Sequence, residues 1–227
     1  MPAEERVRPS ETVIVVSGGP PALEPDRRSL ERLSTPPNAY VIAADSGIDV
    51  AFALDQRIDA AIGDFDSVSP AGLAHAERIG VALERRPEAK EATDLELALD
   101  AAIAGSPDRI LVIASPHGRL DHLLSSLLVL GSERYASAQL EAIVGEASVN
   151  VIRGVRTIKG RVGELLSLHP IDGPAEGVTT SGLVYPLFQE TLEPGSSRGV
   201  SNVFAEEHAT IALERGVLLA IQPGGIP

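Results

Sequence analysis

Residues 40–67 read YVIAADSGIDVAFALDQRIDAAIGDFDS, and this stretch decides the fold. Two short apolar runs, Tyr40–Ala44 and Asp59–Ile62, each stop one or two residues before an aspartate. Neither run alternates apolar with polar, which is the pattern of strands covered on both faces by helices. Working outward, Thr12–Val16 (TVIVV), Arg109–Ala114 (RILVIA) and Gln139–Val144 (QLEAIV) have the same character. The segments between them carry helix signals. Ser69-Pro70 places an N-cap serine before a proline at the first helical position, and Gly80 closes that segment. Thr93 to Glu96 fits a capping box, after which Leu95, Ala98, Leu99, Ala102 and Ile103 share a face. Leu120, Leu123, Leu124, Leu127 and Leu128 repeat that pattern up to Gly131. Such alternation predicts an α/β layer: a mostly parallel, doubly wound sheet with helices on both faces.

After about residue 146 the helical period disappears. SVNVIRG, VRTIKG, GELLSLHP, AEGVTTSG, ATIALERG and VLLAIQPGG are short strand-like runs punctuated by Gly and Pro. They predict a smaller, all-β sandwich. The expected division is an α/β domain over 12–146 and a β domain over 147–227, joined near Gly145–Ser148.

Composition narrows the function. With 44% hydrophobic residues among 227, the chain can bury a proper core. It has no cysteine, so disulfides, thiolate nucleophiles and cysteine-ligated metals are excluded. Its five histidines lack zinc spacing, so any metal should be a hard ion on oxygen ligands. A net charge of −13 opposes an extended nucleic-acid footprint. The opening MPAEERVRPSE has no apolar h-region and no run is long enough to span a bilayer, so the expectation is a soluble cytoplasmic protein with a frayed N-terminal tail.

In a doubly wound sheet, ligands bind beyond the carboxyl ends of the strands. Asp45 (in AADSG), Asp64 and Asp66 (in GDFDS) sit at such ends. On an extended segment, Asp64 and Asp66 would face one side about 6–7 Å apart, suiting one or two Mg2+ ions that bridge to phosphate. A lone aspartate here reads as a turn residue. Three together read as a cation site, because clustered like charges are destabilising without one. Asp94 opens a helix, where it favours the dipole whatever its function. Lys90 reads equally as a surface lysine or a phosphate contact. In HGRLDH, Arg119 stands where a helix N-terminus and a guanidinium can jointly hold phosphate. Asp121 and His122 occupy the first turn, off the leucine stripe, and His117 reads as a loop residue. There is no G-x-x-x-x-G-K-[ST], and VVSGGPP is a weak substitute for a dinucleotide fingerprint.

Taken in order, AADSG, GDFDS, KEATDLELAL and GRLDH, followed by TSGLVYPL and GSSRGVSNVF, resemble the thiamine pyrophosphokinase family from Val13 onward. The resemblance implies transfer of the terminal pyrophosphoryl group of ATP to the hydroxyl of thiamine, with AMP released. It implies a homodimer with thiamine bound between subunits. Asp64, Asp66 and Asp94 would hold Mg2+, or Mn2+, on the ATP phosphates, with Asp45 near the reacting hydroxyl. Lys90, Thr93, Arg119, Asp121 and His122 would contact the nucleotide, with Asp121 also among the catalytic carboxylates. Tyr185 would wall the thiamine rings, and Ser201 and Asn202 would face them. The chain departs from the pattern at Ser46, where a second glycine is expected, at Glu91-Ala92, and at SPH before Gly118. Three rivals stand beside this reading: the same catalytic domain acting on another alcohol, such as a hydroxymethylpterin; a non-catalytic sensor of nucleotide or thiamine; and a purely structural protein, which would leave the charge clustering unexplained.

Overall fold

The computed structural model describes residues 12–19, 36–87 and 92–224. They fall into two compact units, one within residues 1–129 plus 137–145 and the other within 130–136 plus 146–227.

The first unit is built on six parallel strands: β1 (Thr12–Val16), β2 (Tyr40–Ala44), β3 (Ala60–Gly63), β4 (Ala82–Arg85), β5 (Arg109–Ala114) and β6 (Gln139–Val144). Their order is β4-β3-β2-β1-β5-β6. The chain therefore steps outward from β1 to β4, then returns to lay β5 on the other side of β1. In register, Val13 lies beside Tyr40 on one side and Ile110 on the other. The β1 side chains are all buried, which is why the run reads as continuously apolar. Ile14 and Val16 join Val41, Ala43, Ala61, Leu111 and Ile113 in one core cluster. Burial of each large side chain there contributes about 1.5–3 kcal/mol.

Four α-helices are present among the described residues. α1 (Gly47–Ala53) follows β2, and its Ile48, Val50 and Ala51 join that cluster. α2 (Pro70–Ile79) starts on Ser69, whose Oγ accepts from the Gly72 N–H at 3.0 Å, and stops at Gly80 in the left-handed conformation. α3 (Asp94–Ala104) is capped by Thr93, whose Oγ1 accepts from the Glu96 N–H at 3.2 Å. It buries Leu95, Ala98, Leu99 and Ala102 as the periodicity predicts, along with Ala101.

α4 (Leu120–Leu130) departs from expectation. Leu123 and Leu127 are half-buried, whereas Leu120, Leu124 and Leu128 are 78%, 55% and 52% exposed. Five leucines within nine positions cover more of the helix surface than one packed face accepts, and the i, i+4, i+8 row stays in solvent.

The second unit is antiparallel. Its strands are β7 (Ala147–Ile152), β8 (Val155–Lys159), β9 (Leu165–Ser181), β10 (Glu190–Leu192), β11 (Asn202–Val203), β12 (His208–Ala212) and β13 (Arg215–Gln222). GELLSLHP and AEGVTTSG, read as separate runs in the sequence, are joined in the 17-residue β9. Its first half pairs with β11 and β13, the β13 pairing shifting register past Ile171 to reach Glu176; its last residues pair with β12. Between the halves Asp172, Gly173 and Gly177 take positive φ, so the strand bends and serves two sets of partners. Leu166, Leu168, Val178, Phe204, Ile211 and Leu218 close the core from both halves. Phe204 is fully buried against Gly160, where any Cβ would come within 2.6 Å of the ring.

Candidate active site

Because strand order reverses between β1 and β5, a crevice is expected where their carboxyl ends diverge. A cleft of about 760 Å³ lies there, lined from the ends of β1, β2, β3 and β5 and from the first turns of α3 and α4. The backbone is arranged for close approach. A side chain at Gly18 would collide with the Ser46 hydroxyl, and one at Gly47 with the Val16 carbonyl. Gly18, after β1, thus leaves the room that Ser46, after β2, fills, which accommodates the departure from a second glycine at 46.

Three carboxylates converge at the floor of the cleft. Asp45, Asp64 and Asp66 each place an oxygen within 4.8 Å of the others. They do not meet by strand alternation, because β3 ends at Gly63. Two left-handed residues turn them inward instead: Asp45 at φ 47° and Phe65 at φ 64°. A bulky residue in that region costs about 1–3 kcal/mol and persists only where its surroundings enforce it. Phe65 is 5% exposed, and the Arg85 guanidinium lies 5.1 Å from its ring centroid. Gly63 completes the approach, since a Cβ there would stand 3.0 Å from the Cα and Cβ of Asp45.

Asp45 is 8% exposed. Its backbone N–H donates to the Ile62 carbonyl at 2.9 Å, and one carboxylate oxygen, Oδ2, accepts from the Ser67 hydroxyl. The other, Oδ1, is buried without a hydrogen-bond partner. A buried carboxylate oxygen left so is costly unless a cation takes it. Asp64 Oδ1 accepts from the Asp66 N–H at 3.3 Å, holding the turn closed. This donor set of clustered oxygens fits a hard divalent ion.

The remaining expected residues divide clearly. Thr93, Asp94, His117, Arg119, Asp121 and His122 all line the cleft. Arg119 Nη2 donates to Asp121 Oδ2 at 2.6 Å, and both side chains are exposed. That hydrogen bond, helped by the His122 backbone N–H, holds the Asp121 carboxyl at about 2, against an ordinary 3.8. The same contact raises the Arg119 pKa. Lys90 lies outside the described residues. Tyr185, Ser201 and Asn202 belong to the second unit. Tyr185 is 61% exposed, Ser201 is exposed, and Asn202 is buried.

Reading the sequence did not single out Phe65 or Arg85, and gave Ser67 no part in the site. The string GDFDS held the signal for the first and last, because a turn that aims two carboxylates inward must put its middle residue elsewhere. Nothing in the string ERRP marks Arg85 as the group above Phe65.

Two family descriptions match the chain: "Thiamin pyrophosphokinase, catalytic domain" over residues 34–142, and "Thiamin pyrophosphokinase, vitamin B1 binding domain" over 155–218. The chain belongs to the thiamine pyrophosphokinase family. A thiamine pyrophosphokinase of Bacillus subtilis is 28% identical over 215 residues, spanning 93% of this chain and 98% of the relative. The crystal structure of the thiamine pyrophosphokinase from Bacillus subtilis superimposes with a TM-score of 0.82 at 25% identity, covering 95% of this chain and all of that one. The thiamin pyrophosphokinase from Candida albicans shares the fold at 16% identity, with a TM-score of 0.75 over 97% of this chain and 90% of its own. Membership accounts for both family-like strings, GDFDS in the first unit and GVSN in the second. No described helix is long and apolar enough to cross a membrane.

Proposed function

We propose that this chain transfers the pyrophosphoryl group of ATP to the hydroxyl of thiamine, yielding thiamine diphosphate and AMP. The observation that carries the chemistry is the convergence of Asp45, Asp64 and Asp66 at the topological switch point, where Asp45 also has a buried, unpartnered carboxylate oxygen. Family membership carries the identity of the two substrates.

Asp64 and Asp66 would hold Mg2+, or Mn2+, with Asp45 beside them and Asp94 on the same cleft wall. The ion, when bound, neutralises phosphate charge and steadies the leaving AMP. The chain's own part is largely positioning and electrostatics. Gly18 and Gly19 let the backbone come near the phosphates. Arg119, at the N-terminus of α4, exchanges its solvent-exposed pairing with Asp121 for a phosphate oxygen. Thr93 and His122 border the nucleotide, and Lys90 reaches its phosphates. The proton of the attacking hydroxyl goes to a carboxylate that lines this cleft, Asp45 or Asp94.

In this reading residues 12–146 are the catalytic domain, doubly wound with helices on both faces of its sheet. Residues 147–227 form a β-sandwich that receives thiamine against Tyr185 and Ser201. The working form is a cytoplasmic homodimer with thiamine between subunits. The exposed rows at Leu120, Leu124 and Leu128, and at Tyr185 and Phe188, support an assembled state.

An acceptor panel tests the proposal. Purified protein with ATP and Mg2+ should release AMP with thiamine and none with a hydroxymethylpterin. AMP release with the pterin alone would assign the same chemistry to a different acceptor. Binding of nucleotide with no turnover on either would make the chain a sensor.

A further inference from the structure

The thiamine reading placed Asn202 among the groups facing the acceptor, but its bonding gives it another task. Asn202 is 3% exposed. Its Oδ1 accepts from the Tyr185 N–H at 3.0 Å and from the Val203 N–H at 2.9 Å. Its Nδ2 donates to the Tyr185 carbonyl at 2.6 Å. The side chain thus takes both main-chain groups of one residue, as a neighbouring strand would, and uses both acceptor positions of its amide oxygen in doing so.

The clamped residue is unusual in what it presents. Tyr185 is 61% exposed and is followed by Pro186, which has no N–H to offer a ladder. Val184 donates to the Val203 carbonyl at 2.9 Å, and Leu183 bridges Phe204. Past that point the segment runs to Phe188, 81% exposed. Asn202 therefore sits where main-chain pairing to Val203 and Phe204 gives out, before the segment pairs again at Leu187, whose carbonyl accepts from the Thr180 N–H at 2.9 Å, and the exposed aromatic ring lies in that gap. Ser201, next to it, is exposed with its N–H taken by Ser167 Oγ at 3.0 Å, and is the polar side chain that remains for a ligand.

We propose that Asn202 is a positioning residue for thiamine: it fixes the Tyr185 backbone so that the tyrosine ring forms the acceptor's wall, and does not itself touch the acceptor. This rests on the thiamine reading above. Losing the clamp loosens a binding surface used equally in ground and transition states, so it raises the thiamine KM and spares kcat.

The test combines kinetics with fluorine NMR of protein carrying fluorotyrosine. The chain has three tyrosines, so three lines are expected, with Tyr185 assigned by Tyr185→Phe. Asn202→Ala should raise the thiamine KM about tenfold, the loss of one or two ordinary hydrogen bonds. The ATP KM and kcat should stay within about twofold. Asn202→Asp keeps an acceptor for both N–H groups but sets a carboxylate oxygen against the Tyr185 carbonyl, so it should not recover the loss. In a Tyr185→Ala background, Asn202→Ala should add less than about twofold, because it acts through the residue already removed. Effects that multiply would overturn the proposal and make Asn202 a direct contact; so would an unchanged thiamine KM. In ligand-free Asn202→Ala the Tyr185 line should shift while those of Tyr40 and Tyr135 hold, which also reports an intact fold. A fixed Tyr185 line refutes the clamp. Wild-type protein inert toward thiamine refutes the acceptor assignment instead, and the fluorine line still decides whether Asn202 holds the segment.

Discussion

Asp64 shows at single-residue scale how a site can work against the stability of its own fold. Three carboxylates within 4.8 Å repel one another, so Asp64→Asn, which keeps the Asp66 N–H bond, should raise the melting temperature of the metal-free protein and abolish turnover. Calorimetry and an AMP assay on the same sample read both effects. Added Mg2+ should raise the melting temperature of wild type and do little for Asp64→Asn; near-wild-type activity in the variant would falsify the metal assignment. Asp121 gives a second prediction. Its folded-state pKa is depressed, so the pairing with Arg119 is fully present above about 4 and is lost as pH falls toward 2. An NMR titration should place its midpoint near 2, and Arg119→Gln should return it toward 3.8. A midpoint unmoved by that substitution would disprove the pairing. At this scale the sequence shows which carboxylates gather, because acids at strand ends have a reason to be there. It does not show how they gather: nothing about a phenylalanine announces φ 64°, which comes from the burial of Phe65 and the Arg85 guanidinium over it.

Elements were legible where burial and capping agree. β1, β2 and β5 are continuous apolar runs between turn residues, and α2 and α3 begin at the serine and threonine whose side chains cap them. β4, with the sequence ALER, escaped because it is a four-residue edge strand with only partial burial, and so lacks a hydrophobic run. α1 escaped for a related reason: it has seven residues, and Ser46 makes no side-chain cap bond. The leucines of α4 mark a helix correctly but not its buried side, since periodicity fixes spacing and not which of two apolar rows meets the core. A prediction belongs here. Ser69 caps α2 and also ties it to α1, its Oγ donating to Asp49 Oδ1 at 2.6 Å. Ser69→Ala should cost about 1 kcal/mol, a drop of about 2–4 °C in melting temperature, with kcat unchanged at low temperature. A kcat that falls with it would mean the α1–α2 contact steers the carboxylates.

For the whole molecule, alternating strands and helices imply a parallel sheet but not its order. The sequence β4-β3-β2-β1-β5-β6 comes from where each crossover packs, and it puts the aspartates that follow β2 and β3 beside the glycines that follow β1 at one crevice. The long β9 was likewise read as two strands, because Asp172 to Gly177 look like a turn when they are a bend within one strand. The central claim concerns the reaction that this crevice carries. Phosphorus NMR of purified protein with ATP, Mg2+ and thiamine, beside a sample lacking thiamine, tests it most directly. Thiamine diphosphate and AMP should appear together, and only in the complete mixture; ADP as the product, or AMP formed without thiamine, would contradict the account.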